Sequence, residues 1–309
     1  MEKKTVLILG GNGFIGTNFA RFLVENSEFA ITVFDKSLPK SPLEKITYIE
    51  GDFFNDVETQ AAAHNFDWVI HALSTVNPGN SNDSYFRGYS KDLIQTIKIC
   101  DSLIGTTTRM LFLSSGGTVY GIQENQPIPE TATPSPINHY GGIKLCIENY
   151  LRINNKQFGT KSIIARISNP YGPGQDYTKG VGFIDAVLRC GLENKTLEVW
   201  GDGSTIRDYV YIDDVCSMLL DIMHYEGALD TLNVCSGHGV SQNQVISIVQ
   251  KLIPGLEYKH LDGRSIDVSR VILDPSRINA ISHTIPRSVE LGIKEYYDFL
   301  IKQYGDAIH

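Results

Sequence analysis

Cysteine is sparse in this 309-residue chain and follows no pattern: Cys100, Cys146, Cys190, Cys216 and Cys235 are widely spaced, without a CxxC or a Cys/His ligand spacing. That argues against a disulfide framework and a zinc site, and fits reduced thiols in a cytoplasmic protein. Excess positive charge is missing too. With 27 Lys and Arg against 35 Asp and Glu the formal net charge is -8, which offers no electrostatic footprint for nucleic acid or an anionic membrane surface. No segment approaches the roughly 18 apolar residues of a membrane span. The N-terminal apolar run Thr5–Leu9 stops at Gly10-Gly11-Asn12-Gly13, too soon for a signal peptide, so the sequons at Asn82 and Asn194 carry no meaning in a cytoplasmic chain. Internal repeats and low-complexity tracts are absent. What remains is 42% hydrophobic and 20% charged residues, enough for one large or two modest cores.

Apolar runs alternate with helical patterns through the first half of the chain. Thr5–Leu9, Ala30–Phe34, Ile46–Glu50, Trp68–His71, Met110–Ser114 and Ser162–Ile167 read as strands. Helical spacing predicts Phe14–Glu25, Val57–Ala63, Tyr85–Leu103 and His139–Asn154 between them. This is α/β chemistry: a doubly wound parallel sheet covered on both faces, assigned to residues 1–170. After a Gly/Pro stretch, Asn169–Gly174, the pattern loosens into short elements, with helices predicted near Val181–Cys190, Ile212–Tyr225, Ser241–Leu252 and Val289–Gln303. Residues 171–309 therefore read as a smaller mixed α/β cap that holds the substrate, with some chain crossing back to the first domain.

Gly10-Gly11-Asn12-Gly13-Phe14-Ile15-Gly16 follows the first strand and opens the first helix. Glycine meets three needs there: a sharp turn, close approach of backbone N–H groups to a pyrophosphate, and tight helix–strand packing. Asp35 ends the second strand, where a carboxylate accepts hydrogen bonds from the adenosine ribose and repels a 2′-phosphate, so the pattern favours NAD over NADP. Lys36 beside it tempers that repulsion. A second signal is Tyr140-Gly141-Gly142-Ile143-Lys144. Of 15 tyrosines only Tyr140 has a lysine four residues on, which places both side chains on one helix face. An ammonium beside a phenol stabilises the phenolate and moves tyrosine towards service as a general base.

These motifs, with Gly51-Asp52, the run Leu113-Ser114-Ser115-Gly116-Gly117-Thr118-Val119-Tyr120-Gly121, Asn169-Pro170-Tyr171-Gly172-Pro173 and the run Gly201–Val210, resemble in order and spacing the extended short-chain dehydrogenase/reductases acting on nucleotide sugars. The resemblance covers most of the chain and is nearest to the NAD-dependent epimerase/dehydratase group. It implies a Rossmann domain whose Gly10, Gly13, Phe14, Ile15, Gly16, Asp35, Lys36, Asp52, Phe53 and Leu73 line the cofactor, with Tyr140 as base and Lys144 as its ribose-binding partner. In the cap it implies Asn169, Arg207 and Arg264 on the substrate diphosphate, Phe183 and Trp200 about the base, Asp267 near the nucleotide ribose and Val271 as a gate beside the sugar 2-position. It also implies a homodimer built on an intermolecular four-helix bundle, to which Leu93, Ile94, Ile97, Leu103, Leu145, Ile147, Tyr150 and Leu151 offer apolar surface.

The chain departs from that pattern in informative places. The family's substrate-binding hydroxyl falls at Gly116; strand alternation makes Thr118 its first replacement, and a bulge at the double glycine makes it Ser115. Gly117-Thr118 stand where dehydratases carry an Asp-Glu pair, which disfavours water elimination. Val76 replaces a lysine that lies against the cofactor pyrophosphate in UDP-galactose 4-epimerases. The expected activity is 4-epimerisation of a UDP-hexose or UDP-N-acetylhexosamine through a transient 4-keto sugar. A 4-ketoreductase using NAD(P)H is the alternative. An idle cofactor-sensing regulator conflicts with intact Tyr140 and Lys144.

Overall fold

Runs rich in Val, Ile and Leu form the strands of a buried parallel sheet, because every side chain in such a strand meets a helix on one face or the other. The computed structural model describes residues 3–176, 181–263 and 268–304. Its first half holds β1 (Thr5–Leu9), β2 (Ala30–Asp35), β3 (Ile46–Glu50), β4 (Trp68–His71), β5 (Arg109–Ser115) and β6 (Lys161–Ile167). Between them run α1 (Phe14–Asn26), α2 (Asp56–Ala63), α3 (Tyr85–Arg87), a π-helical turn (Gly88–Leu93), α4 (Ile94–Ser102), α5 (Gly116–Val119) and α6 (His139–Phe158).

The cap begins with β7 (Asn169–Tyr171), α7 (Phe183–Leu192), β8 (Leu197–Trp200), β9 (Ile206–Tyr211) and α8 (Ile212–His224). The chain then returns to the large sheet as β10 (Thr231–Val234), parallel to β6. It leaves again through β11 (Gly239–Ser241), α9 (Gln242–Leu252), β12 (Tyr258–Leu261), β13 (Arg270–Val271), α10 (Ser276–Asn279) and α11 (Val289–Tyr304). The large sheet is seven-stranded in the order β10-β6-β5-β4-β1-β2-β3. The order in which strands are added changes sense between β1 and β4, which run parallel, and this opens a crevice at their carboxyl ends. In the cap, β9 is flanked by β11 and β13 and also pairs with β7, while β8 pairs with β12. The doubly wound sheet with a smaller mixed cap is thus the architecture present.

Three local expectations need correction. Residues 116–119 are a helical turn, not an extension of β5. In a helix, residues two apart point to opposite sides, so the alternation that put Thr118 on the side of Gly116 does not hold. The helix expected over Tyr85–Leu103 is interrupted by the π-helical turn. Ile143 explains the wide turn, because a Cβ on Gly88 would lie 2.3 Å from its Cδ1. Finally, Leu103, Ile147 and Leu151 face their own core rather than solvent.

His71 closes β4 inside that core, 1% exposed and edge-on to the rings of Phe53 and Phe112. Its Nε2 meets Thr96 Oγ1 at 2.9 Å. Burial, with the nearby Lys144 charge, pushes His71 down to about 3. A histidine depressed in the folded state leaves the unfolded chain to take up the proton, so stability falls as pH drops below the ordinary value near 6.5. Between pH 7 and 5 this one group should cost about 2 kcal/mol. Urea unfolding at both pH values should show His71→Asn losing less stability than wild type by about that difference; equal losses would refute the assignment.

Candidate active site

The glycine turn is built for close approach. Gly10 has φ +77°, and a Cβ there would sit 2.8 Å from the Cα of Leu73. A Cβ on Gly16 would lie 2.6 Å from Gly10 O, so only glycine lets α1 start this near β1. Gly13 caps α1 without a side-chain hydrogen bond, and the first turn holds no acidic residue. The start of α1 thus has no side-chain cap and no acidic side chain against the positive end of its dipole, which suits a cofactor pyrophosphate. Asp35 Oδ2 accepts the Asn12 N–H at 2.9 Å, tying the end of β2 to this turn, and its Oδ1 accepts the Lys36 N–H at 2.7 Å. The Lys36 side chain is exposed. This arrangement fits NAD.

Further along the crevice, Asp52 accepts the Phe54 N–H and stays exposed. The Phe53 ring turns inward onto His71, which leaves only its main chain for an adenine. Val76 is 2% exposed and lies beside Gly88 and Ile143, a place no lysine ammonium occupies without losing its hydration.

Tyr140 and Lys144 open α6, whose N-cap Asn138 accepts the Gly141 N–H at 2.8 Å. Gly141 is needed because a Cβ would stand 2.6 Å from Thr118 O. Lys144 is 4% exposed; its Nζ donates to Leu113 O at 2.9 Å, lies 4.7 Å from the Phe112 ring centre and 5.6 Å from that of Tyr140. The two side chains share a helix face at the carboxyl end of β5. Burial pushes Lys144 down to about 8, against the opposing pull of the Asp92 and Glu148 carboxylates. Burial and then the Asp92 charge push Tyr140 up to about 12. Burial thus shifts Tyr140 upward, opposite to the direction that the YxxxK spacing suggests.

Thr118 Oγ1 is buried without a hydrogen-bond partner among the described residues, and its carbonyl abuts Gly141. Ser115, at the end of β5, is half-buried. The Gly116 position is closed: a Cβ there would meet Leu273 Cδ1 at 2.3 Å.

The cap residues are held mainly by β9. Asn169 pairs with Tyr209 in the β7–β9 ladder, and its Nδ2 donates to Asp208 O at 3.1 Å. Arg207 pairs with Val271 across β9 and β13 and donates to Val268 O at 2.7 Å. Val271 itself is 1% exposed, packed with Val119, Tyr120, Ile128 and Leu273 rather than on an open wall. Phe183 begins α7 half-buried, and Trp200 ends β8 with 44% exposure. Arg264 and Asp267 lie outside the described residues. Sequence reasoning missed Asp92, which is buried with Gln95, Thr96 and Ile99 on one helix face; three polar residues in that i, i+3, i+4, i+7 spacing hide the face from a search for apolar periodicity.

Among known proteins, the dTDP-4-dehydro-6-deoxyglucose reductase of Escherichia coli is 29% identical over 291 residues, covering 88% of this chain and 92% of that protein. The crystal structure of the Thermotoga maritima UDP-glucose 4-epimerase with UDP-glucose has a TM-score of 0.87 and 28% identity, covering 97% of this chain and 99% of that one. The Thermus thermophilus UDP-glucose 4-epimerase complex with NAD shares the fold, with a TM-score of 0.84 at 24% identity over 95% of this chain and 98% of that one. The family model described as NAD dependent epimerase/dehydratase matches residues 6–235. With the uncapped glycine turn, Asp35 and the Tyr140–Lys144 pair in the places such a cofactor enzyme requires, the chain belongs to the NAD dependent epimerase/dehydratase family.

Proposed function

We propose that this enzyme is a nucleotide-sugar 4-epimerase acting on a UDP-hexose or UDP-N-acetylhexosamine. The observation that carries the reading is the Tyr140–Lys144 pair beside an orphaned Thr118 hydroxyl, with no carboxylates at 117 and 118 to drive elimination. NAD, when bound, supplies a hydride acceptor and then a hydride donor. Tyr140 takes the proton of the sugar 4-hydroxyl as the C4–H hydride leaves, and returns it to the oxygen of the 4-keto sugar after the ring has turned over. Lys144 holds the cofactor ribose and favours the phenolate, while Thr118, or Ser115, hydrogen-bonds the same sugar oxygen. Asn169, Arg207 and Arg264 hold the diphosphate, Phe183 and Trp200 the base, and Asp267 the ribose. No net oxidation occurs, so no second substrate is consumed.

A second reading, 4-keto reduction of a deoxysugar nucleotide, is favoured by one observation: Leu273 fills the place of the hydroxyl missing at Gly116. The E. coli relative carries a reductase name. A panel of UDP-, dTDP-, CDP- and GDP-sugars separates the two. Turnover without added reductant is expected; stoichiometric oxidation of NADH or NADPH on 4-keto sugars, and none without, would replace epimerisation with reduction.

Tyr140→Phe removes the proton acceptor and should lower turnover by about 10²-fold or more with NAD affinity little changed. Near wild-type turnover would end the mechanism. We also propose assembly as a homodimer through α4 and α6. Phe86 in α3, Ile94 in α4 and Ile153 in α6 are 74%, 45% and 51% exposed, apolar surface that association would cover. Light scattering at micromolar concentration should give about twice 34.3 kDa, and Ile94→Glu with Ile153→Glu should give a monomer. A monomeric wild type would contradict the dimer.

A further inference from the structure

Asp92 is 4% exposed and sits in the π-helical turn, yet among the described residues it enters no ion pair. A carboxylate buried without a cation is costly, and its neighbours show why it is tolerated. Its Oδ2 accepts the Thr75 N–H at 2.7 Å and its Oδ1 the Thr75 hydroxyl at 2.7 Å, with Ser74 Oγ at 3.3 Å. Both oxygens thus act as acceptors, the behaviour of an ionised group. The Asp92 carbonyl takes the Thr96 hydroxyl at 2.7 Å, and through it reaches His71. The loop from Leu73 to Val76, which presses on Gly10 at one end and lies beside Gly88 at the other, is bound to the helix through this one side chain.

We propose that Asp92 is a positioning residue for the Tyr140–Lys144 pair: its carboxylate clamps the 73–76 loop onto the π-helical turn, which packs on α6 through Gly88 against Ile143 and Tyr89 against Gly142, and it sets a negative charge near the pair. This rests on the reading of Tyr140 and Lys144 as the working pair. Of the other described residues around the pair, Glu148, one turn beyond Lys144, alone adds negative charge at Lys144, and it is shared with Arg166 and Arg152. His71 on β4 is held neutral by burial. On the helix of Asp92, Lys91 lies over Phe54 and Tyr89 stands against Gly142. The Asp92 charge acts in one direction on both active-site groups: it opposes the lowering of Lys144 by burial and adds to the raising of Tyr140 by burial.

The test is a titration without substrate or cofactor. Lysine ¹³Cε NMR of the full chain, with Lys144 assigned by Lys144→Met, follows the ammonium from about pH 6 to 10. Wild type should titrate near 8, and Asp92→Asn should lower the midpoint by on the order of one unit. Thr75→Val removes the hydroxyl hydrogen bond, keeps that from the Thr75 N–H and keeps the charge, and should leave the midpoint in place. The acid limb of kcat/KM should move to lower pH in Asp92→Asn, since the phenol also loses a negative neighbour. An unmoved Lys144 midpoint in folded Asp92→Asn, or an equal shift in Thr75→Val, overturns the proposal. So does failure of both Asp92→Asn and Asp92→Ser to fold while Thr75→Val does, since Asp92 would then be structural. The midpoint is read without turnover, so it stands or falls separately from the activity of Tyr140→Phe.

Discussion

A buried ion pair holds the catalytic helix to the sheet. Glu148 is fully buried one helical turn after Lys144, and Arg166, 1% exposed in β6, reaches its Oε2 at 2.6 Å. Ser114 in β5 donates to the same carboxylate at 2.6 Å, and Arg152 closes its outer side at 2.8 Å. Two charges removed from water are tolerated only when the geometry satisfies both, so α6 has one height and one rotation on the sheet. Lys144 inherits that setting and reaches Leu113 O. Removing either partner leaves an uncompensated buried charge, at a cost of about 3–5 kcal/mol.

The same arginine extends the constraint outward. Its guanidinium lies 4.6 Å from the Tyr120 ring, whose hydroxyl donates to Asn233 in β10 at 2.8 Å. Asn233 in turn donates to the carbonyls of Ile128 and Asp274. The cap is hung on a second buried carboxylate. Asp208 in β9 accepts from the N–H groups of Ser236, Gly237 and Leu273, so the end of β10 and the segment after β13 meet at one point. Leu273 is thereby fixed against Gly116, where the family's hydroxyl would otherwise project.

Charge inside the crevice follows from burial more than from spacing. The YxxxK pattern promises an ammonium beside a phenol, and the helix delivers that proximity. A low-dielectric surrounding penalises both charged forms, however, and lowers the lysine while raising the tyrosine. Asp92 opposes the first effect and adds to the second.

Local sequence alone determined the strands of the first domain, the glycine turn, Asp35 at the end of β2 and the Tyr140–Lys144 face, since each is set by backbone needs or by a period of a few residues. The tight turn after β1 follows from Gly10 and Gly16 whatever the rest of the chain does. Only tertiary structure decided that Gly116–Val119 coil into a helical turn, that Leu273 closes the Gly116 position, that Val271 is core, and that β10 leaves the cap to complete the large sheet. Those outcomes depend on contacts between residues far apart in the sequence, as between Gly116 and Leu273 or between β10 and β6. Asp92 belongs with them: its partners at 74 and 75 are brought to it by a loop, and a helical period does not disclose which buried polar groups will meet.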